Sequence, residues 1–103
     1  MTENTAALPA AERPGTPALP QDLIDVDALL EAYHTGHPDV TDPAQKVVFG
    51  TSGHRGSAFT TSFNDDHIAA ITQAIVEYRT AQHIYGPLFV GADTHGLSAP
   101  AHT

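Results

Sequence analysis

Apolar residues recur at helical spacing in two stretches of the chain. The first stretch runs from Leu23 to Tyr33, has aspartates at its start and is followed by Gly36 and Pro38, which are typical of a helix end. The second stretch follows Asn64, a good N-cap residue, and predicts a helix from there to about Gln82. Its apolar face would consist of Ile68, Ile71, Ile75, Tyr78 and Ala81.

Short apolar runs without that spacing predict strands. Lys46–Phe49 and Leu88–Val90 are two strand candidates, and Ala58–Phe63 is a further extended candidate because threonine and phenylalanine favour strands. Ser98 follows a polar turn and is predicted to cap another helix. Strands that alternate with helices in this order indicate an α/β fold. Because only five residues follow Ser98, we expect an incomplete α/β domain.

The N-terminal segment has no such pattern. It is rich in alanine and carries Pro9, Pro14, Pro17 and Pro20, with few large apolar side chains. Such a segment buries too little surface to offset the entropy of ordering it. We therefore predict a flexible, disordered tail over residues 1–21 and a truncated N-terminal part of one domain over residues 22–103.

Charge and composition narrow the range of partners. The chain has 103 residues, of which 12 are acidic and four are basic, and its formal net charge is −8. Binding to nucleic acid or to an anionic membrane needs a basic face, so neither is expected as the main function. There is no cysteine for a disulfide, and no apolar run reaches the ~20 residues that cross a bilayer. The N-terminus also lacks a signal-peptide pattern, so a cytoplasmic protein is the expectation.

The stretch Gly50-Thr51-Ser52-Gly53-His54-Arg55-Gly56 is the strongest candidate for chemistry. Glycines let backbone amides approach a ligand closely, and the planar fork of an arginine fits phosphate oxygens. The glycine spacing matches neither a P-loop nor a dinucleotide-binding motif. Two interpretations stay open, a plain glycine turn and a phosphate-binding loop. The arginine favours the second, because basic residues are so rare in this chain.

Other polar groups carry weaker signals. His34 and His37 are best interpreted as a solvated helix end, because no third metal ligand stands at a recognised spacing. Asp93-Thr94-His95 follows a strand candidate, so it is either a functional turn or a simple helix cap. No acidic residue is paired with Ser52 and His54, which argues against a hydrolase triad.

Two pairs of residues have structural interpretations. Tyr33 and Tyr78 stand at helical spacing from apolar neighbours, which predicts core residues with exposed hydroxyl groups. Asp65 and Asp66 follow the N-cap candidate, so they are predicted to be helix-start charges and not an acid–base pair.

Several linked motifs stand in a consistent order and spacing between about Asp22 and Ala101. They are Phe49-Gly50-Thr51-Ser52-Gly53-His54-Arg55-Gly56-Ser57, Ser62-Phe63-Asn64, His67-Ile68, Gly86-Pro87-Leu88, Gly91 with Asp93-Thr94-His95, and Leu97-Ser98. Together these motifs resemble the α-D-phosphohexomutase superfamily, and within it the bacterial phosphoglucomutases.

The resemblance implies a four-domain enzyme whose first α/β domain, a mixed sheet with flanking helices, begins in this chain and is incomplete in it. Family members interconvert glucose 1-phosphate and glucose 6-phosphate through glucose 1,6-bisphosphate, with a phosphoserine as the phosphoryl donor and a supporting Mg²⁺ ion. By this resemblance Arg55 would face the transferring phosphoryl group, and Thr51, Ser52, Gly53 and His54 would shape the same phosphate-binding wall. The implied substrate is a hexose phosphate, and the implied partners are the remaining domains of the same chain.

The sequence departs from the family pattern in informative ways. The phosphoserine stretch Thr-Ala-Ser-His-Asn-Pro and the metal loop Asp-Gly-Asp-Gly-Asp do not occur, so the resemblance puts the phosphoserine beyond residue 103 and no metal ligand in this chain. Ala92 stands where a basic residue is expected. We therefore predict the N-terminal fragment of a phosphoglucomutase that is inactive by itself. Two alternatives stay open: a small non-catalytic module that binds a hexose phosphate or a partner, and a sibling mutase for mannose or glucosamine phosphates.

Overall fold

The computed structural model describes residues 13–103. They form three α-helices and one antiparallel pair of strands: α1 (Val26–Thr35), β1 (Phe49–Gly50), β2 (Gly53–His54), α2 (Asp65–Ala81) and α3 (Ser98–His102). Short 3-10 helices at Pro20–Asp22 and Ala58–Thr60 precede α1 and α2. The tail predicted for residues 1–21 falls largely on residues 1–12, outside the described part. Arg13 is buried and pairs with Asp22.

Helix α1 begins and ends where its sequence provides partners for the free backbone groups. The Asp25 carboxylate accepts a hydrogen bond from the Ala28 amide at 3.0 Å, as an N-cap does. Leu29 and Tyr33, one turn apart, form the buried side of the helix. The predicted helix is confirmed, but Leu23 lies before its first residue and is 68% exposed, so the apolar stripe is shorter than its sequence pattern indicates.

Helix α2 is the longest element, with 17 residues. The predicted N-cap is confirmed: Asn64 Oδ1 accepts hydrogen bonds from the amides of Asp66 at 3.1 Å and His67 at 3.3 Å. Asp65 and Asp66 occupy the first turn, as predicted, where the helix dipole favours negative charge. No helix among residues 13–103 has both the length and the apolar character needed to cross a bilayer.

A small core joins the helices to the segments around them. It consists of Leu29, Tyr33, Ala58 and Leu97, with Phe63 packed against it. Tyr33 is fully buried, which confirms its prediction as a core residue. Its hydroxyl group is buried too, contrary to prediction, and has no hydrogen-bond partner among the described residues.

The strand predictions are wrong in detail. The first strand is Phe49–Gly50 and not Lys46–Phe49, and Ala58–Thr60 is a 3-10 helix where an extended piece was expected. Leu88–Val90 forms no strand, and Phe89 is 91% exposed. A strand needs a neighbour for its amides and carbonyls, and within residues 13–103 this segment has none. Of the predicted mixed sheet, the described residues contain only the β1–β2 hairpin.

The apolar side of α2 is only partly covered. Ile68 packs against the core, whereas Ile75 is 40% exposed and Tyr78 is 63% exposed. The prediction of Tyr78 as a core residue is therefore wrong. The physical reason is the missing strand, because no regular element forms between Gln82 and Leu97 to lie on this side of the helix.

Candidate functional site

The β1–β2 hairpin presents the glycine-rich stretch. Phe49 pairs with His54 and Gly50 pairs with Gly53, which leaves Thr51 and Ser52 as an exposed turn. Gly53 has φ of +107°, a conformation that disfavours any residue with a side chain. The hairpin therefore depends on this glycine, and Arg55 follows directly at its end.

Hydrogen bonds and ring stacking fix the position of the His54 side chain. Its Nε2–H donates to the Ser62 carbonyl at 2.8 Å, and its Nδ1 accepts from the Val48 amide at 3.1 Å. Its ring stacks on Phe63, with the ring planes 9° apart and the centroids 5.8 Å apart. Since both ring nitrogens are engaged, His54 can shape a binding wall but has no donor left for a ligand.

His67 packs on the ring of His54, with centroids 5.3 Å apart and ring planes 21° apart. It is buried, its Nδ1 accepts the Asn64 amide at 3.1 Å, and its Nε2–H donates to the Gln45 carbonyl. With the Asn64 side chain it forms a capping box in which histidine takes the place of the usual glutamate or glutamine. No role for His67 was predicted from the sequence, although its position three residues after an N-cap is a usable signal.

Gly56 is in close contact with Ser62. A Cβ atom at residue 56 would lie 2.5 Å from both the carbonyl oxygen and the Oγ atom of Ser62. Ser62 Oγ also accepts a hydrogen bond from the Ser57 amide at 2.8 Å. The third glycine of the stretch is thus required by packing against the segment that leads into α2, which the sequence alone did not indicate.

A cleft of roughly 720 Å³ opens beside this assembly. One lining segment is His54–Phe59, which includes Arg55, and another is Asp93–Ser98. Pockets of about 300–1,000 Å³ are typical of small-molecule sites. Two stretches that the sequence indicated separately therefore meet in one cleft. Thr51, Ser52 and Gly53 do not line it.

Arg55 is the basic residue of the cleft. It is exposed, and its guanidinium makes no hydrogen bond or ion pair within residues 13–103. The other arginines are engaged elsewhere, since Arg13 pairs with Asp22 and Arg79 donates to the Gly86 carbonyl. Arg55 thus keeps its five N–H donors for a ligand.

The Asp93 carboxylate organises the second lining segment. Its Oδ1 accepts from Ser98 Oγ at 2.5 Å and from the His95 amide at 2.9 Å. The Ser98 hydroxyl, followed by the His95 amide, lowers the pKa of Asp93 below its ordinary value. Ser98 is the first residue of α3 and not its N-cap, so that prediction is wrong, because its hydroxyl bonds Asp93 instead of a helix amide.

The two histidines at the end of α1 lie near the start of α2. His34 Nδ1 is 3.5 Å from Asp65 Oδ2, and His37 Nδ1 is 3.1 Å from Asp66 Oδ2, with all four side chains exposed. Across residues 13–103, no group of three or more histidine, aspartate or glutamate side chains is arranged to hold a metal ion. A solvated helix end therefore remains the better interpretation of these histidines.

The fold and the glycine-rich site match a known class of domain. Residues 46–103, more than half of the chain, match the family described as phosphoglucomutase/phosphomannomutase, alpha/beta/alpha domain I. The chain belongs to the phosphoglucomutase/phosphomannomutase family, which confirms the predicted family and the α/β class.

One relative has a more specific name. The chain is 58% identical, over 87 residues, to a protein from Komagataeibacter xylinus named phosphoglucomutase. The matched region covers 84% of this chain and 16% of that protein. The chain thus spans about a sixth of the length of the relative it matches.

Proposed function

We propose that this chain provides the phosphate-contacting wall of a phosphoglucomutase, the enzyme that interconverts glucose 1-phosphate and glucose 6-phosphate. The observation that carries the proposal is Arg55, a cation in a ligand-sized cleft with no partner within the described residues. The family match supports a hexose phosphate as the ligand class, and the name of the relative supports glucose as the sugar.

Arg55 would stabilise negative charge on the transferring phosphoryl group and would not itself form or break a covalent bond. In phosphoryl transfer, negative charge is spread over the oxygens of the moving group, and a positioned guanidinium stabilises that charge. A donor that is already in position needs little reorganisation as negative charge develops in the transition state. The held ring of His54, next in sequence, would fix the backbone from which Arg55 extends and so limit the positions that its guanidinium can reach.

The rest of the reaction would use residues in other parts of the whole enzyme. The proposal includes a phosphoserine as phosphoryl donor and glucose 1,6-bisphosphate as the intermediate of the whole enzyme. Residues 13–103 do not fit a Mg²⁺ site, because no suitable cluster of ligands exists among them, so no step through the metal is assigned to this chain. We propose that the isolated chain does not turn over glucose 1-phosphate.

A chimera tests this function directly. The matching segment of the Komagataeibacter xylinus phosphoglucomutase would be replaced by this chain, and conversion of glucose 1-phosphate to glucose 6-phosphate would be measured. The chimera is expected to be active. Arg55→Ala is expected to lower kcat/KM by about 10²–10³-fold, the usual effect of removing one donor to transition-state charge.

Arg79→Ala is the matched control, because Arg79 lies outside the cleft and donates to the Gly86 carbonyl. It is expected to change kcat/KM by less than about threefold, the size of a surface effect near 0.5 kcal/mol. An Arg55→Ala chimera as active as its parent would refute the proposal. Turnover of glucose 1-phosphate by the purified 103-residue chain would refute its claim of an inactive fragment.

A further inference from the structure

Four residues of the Asp93–Ser98 segment line the cleft, namely Asp93, His95, Leu97 and Ser98, and one of them has a side chain with an uncommitted donor. Ser98 Oγ–H donates to Asp93, and the Asp93 carboxylate can only accept. Leu97 and Ala101, which also line the cleft, carry no polar side-chain atom. Among these lining residues, His95 alone is left to donate to a ligand.

The tautomer of His95 is set by its own turn. Its Nδ1 accepts the Leu97 amide at 3.0 Å, so the ring proton of the neutral imidazole is on Nε2. No described residue bonds to Nε2. The turn thus holds the ring by one nitrogen and leaves an N–H at the other.

A phosphate in this cleft needs more than Arg55. A phosphate monoester presents several oxygens, and a single guanidinium fork satisfies two of them. The carboxylate of Asp93 lies in the same cleft, and Ala92 brings no positive charge to this segment. An imidazole that donates from Nε2 would supply a further contact and offset part of the repulsion from Asp93.

We infer that His95 is a second phosphate-binding residue, which donates Nε2–H to the same phosphate group that Arg55 holds. The ligand class is a phosphate monoester bound between the two lining segments. This inference rests on the proposed function, because it takes Arg55 as the first contact.

Two substitutions of His95 separate binding from structure. His95→Asn keeps an acceptor close to the place of Nδ1 for the Leu97 amide but removes the Nε2 donor. His95→Gln places an amide N–H near Nε2 but gives up the acceptor for the turn. Each variant of the 103-residue chain would be titrated with inorganic phosphate at neutral pH and followed by NMR of the backbone amides and imidazole nitrogens.

A binding role predicts that His95→Asn weakens phosphate affinity by about tenfold, the loss of one hydrogen bond to a charged group. His95→Gln would stay within about threefold of the parent, a difference below 1 kcal/mol. A purely structural role predicts the reverse order, and that result would overturn the inference.

Arg55→Ala shows which proposal has failed when the expected pattern is absent. Loss of phosphate binding in Arg55→Ala with no effect in His95→Asn would overturn the inference on His95 alone. No saturable phosphate binding by the unmodified chain would overturn both the inference and phosphate contact by Arg55.

Discussion

The side-chain amide of Asn64 donates to the Gly36 carbonyl at 2.7 Å, so the residue that caps α2 also holds the end of α1. Asn64 is fully buried, with its oxygen on the first turn of α2 and its nitrogen on α1. An amide side chain can accept at its oxygen on one side and donate from its nitrogen on the other. The two helices are therefore joined through one residue.

Asn64→Ala is expected to destabilise the fold by about 2 kcal/mol, because it removes an N-cap and a buried donor together. Asn64→Ser keeps a neutral acceptor for the cap but loses the amide donor to Gly36, so a smaller loss is expected. Urea unfolding followed by circular dichroism measures both. Equal losses in the two variants would contradict a separate contribution from the cap.

Gly56→Ala is expected to destabilise the chain by about 1–3 kcal/mol, the usual range for overpacking. The added Cβ would meet Ser62 at 2.5 Å, and one of the contacted atoms is a backbone carbonyl that cannot rotate away. Gly96→Ala is the matched control, since its Cβ would lie 3.7 Å from Leu29 Cδ2, an ordinary contact. Thermal unfolding of both variants tests this, and equal melting temperatures would contradict it.

The structural features that were predicted best are those that depend on residues close together in the sequence. Helix α2 was predicted nearly to its last residue because the Asn64 cap and the apolar spacing are local signals. Arg55 was found by its rarity and its glycine-rich surroundings, and its contact with phosphate stays a prediction. The strand at Leu88–Val90 could not be judged locally, because pairing depends on residues distant in the chain.

The contacts that hold the site were harder to predict. The Ser62 carbonyl accepts a hydrogen bond from His54. The identity of a side chain does not predict which partner the backbone of that residue will bond. The stacking of His54 on His67 likewise depends on how α2 meets the hairpin. Such contacts follow from packing, which has no fixed spacing in the sequence.

Tyr33 is expected to make stability depend on alkaline pH. Burial, with a smaller effect from the Asp65 charge, raises the pKa of Tyr33 above its ordinary value of 10.0. The folded state therefore retains the proton longer than the unfolded state, so stability is complete below about pH 10 and falls as the pH rises through the folded pKa. The free energy of unfolding, measured from neutral to alkaline pH, should show this fall.

Tyr33→Phe should remove the part of the alkaline fall in stability that comes from ionisation of Tyr33. It should also raise stability at neutral pH by about 1 kcal/mol, since the buried hydroxyl has no described partner and its desolvation is then avoided. Tyr78→Phe is the control, because Tyr78 is exposed and its hydroxyl should have little effect. A loss of stability in Tyr33→Phe would show that the hydroxyl has a bonding partner.

Ser98→Ala is expected to raise the pKa of Asp93 toward its ordinary value of 3.8, because the Ser98 hydroxyl is the main cause of the lowered pKa. The lowered pKa stabilises the fold above about pH 3.8, and this contribution is lost as the pH falls through the folded pKa. NMR titration of the Asp93 carboxyl carbon measures the change. Ser52→Ala, in the exposed hairpin turn, should leave the midpoint unchanged, and an unchanged midpoint in Ser98→Ala would contradict the assignment.

The hydrogen bonds that hold the glycine-rich loop join residues no more than 22 positions apart in the sequence. His54 bonds to Ser62 eight residues away, Ser57 to the same serine five residues away, and His67 to Gln45 across 22 residues. Contacts of short sequence separation cost little loop-closure entropy, so they form early when a chain folds. During synthesis on the ribosome, the wall of the cleft that carries Arg55 can assemble once the start of α2 has emerged, before the Asp93–Ser98 segment is made.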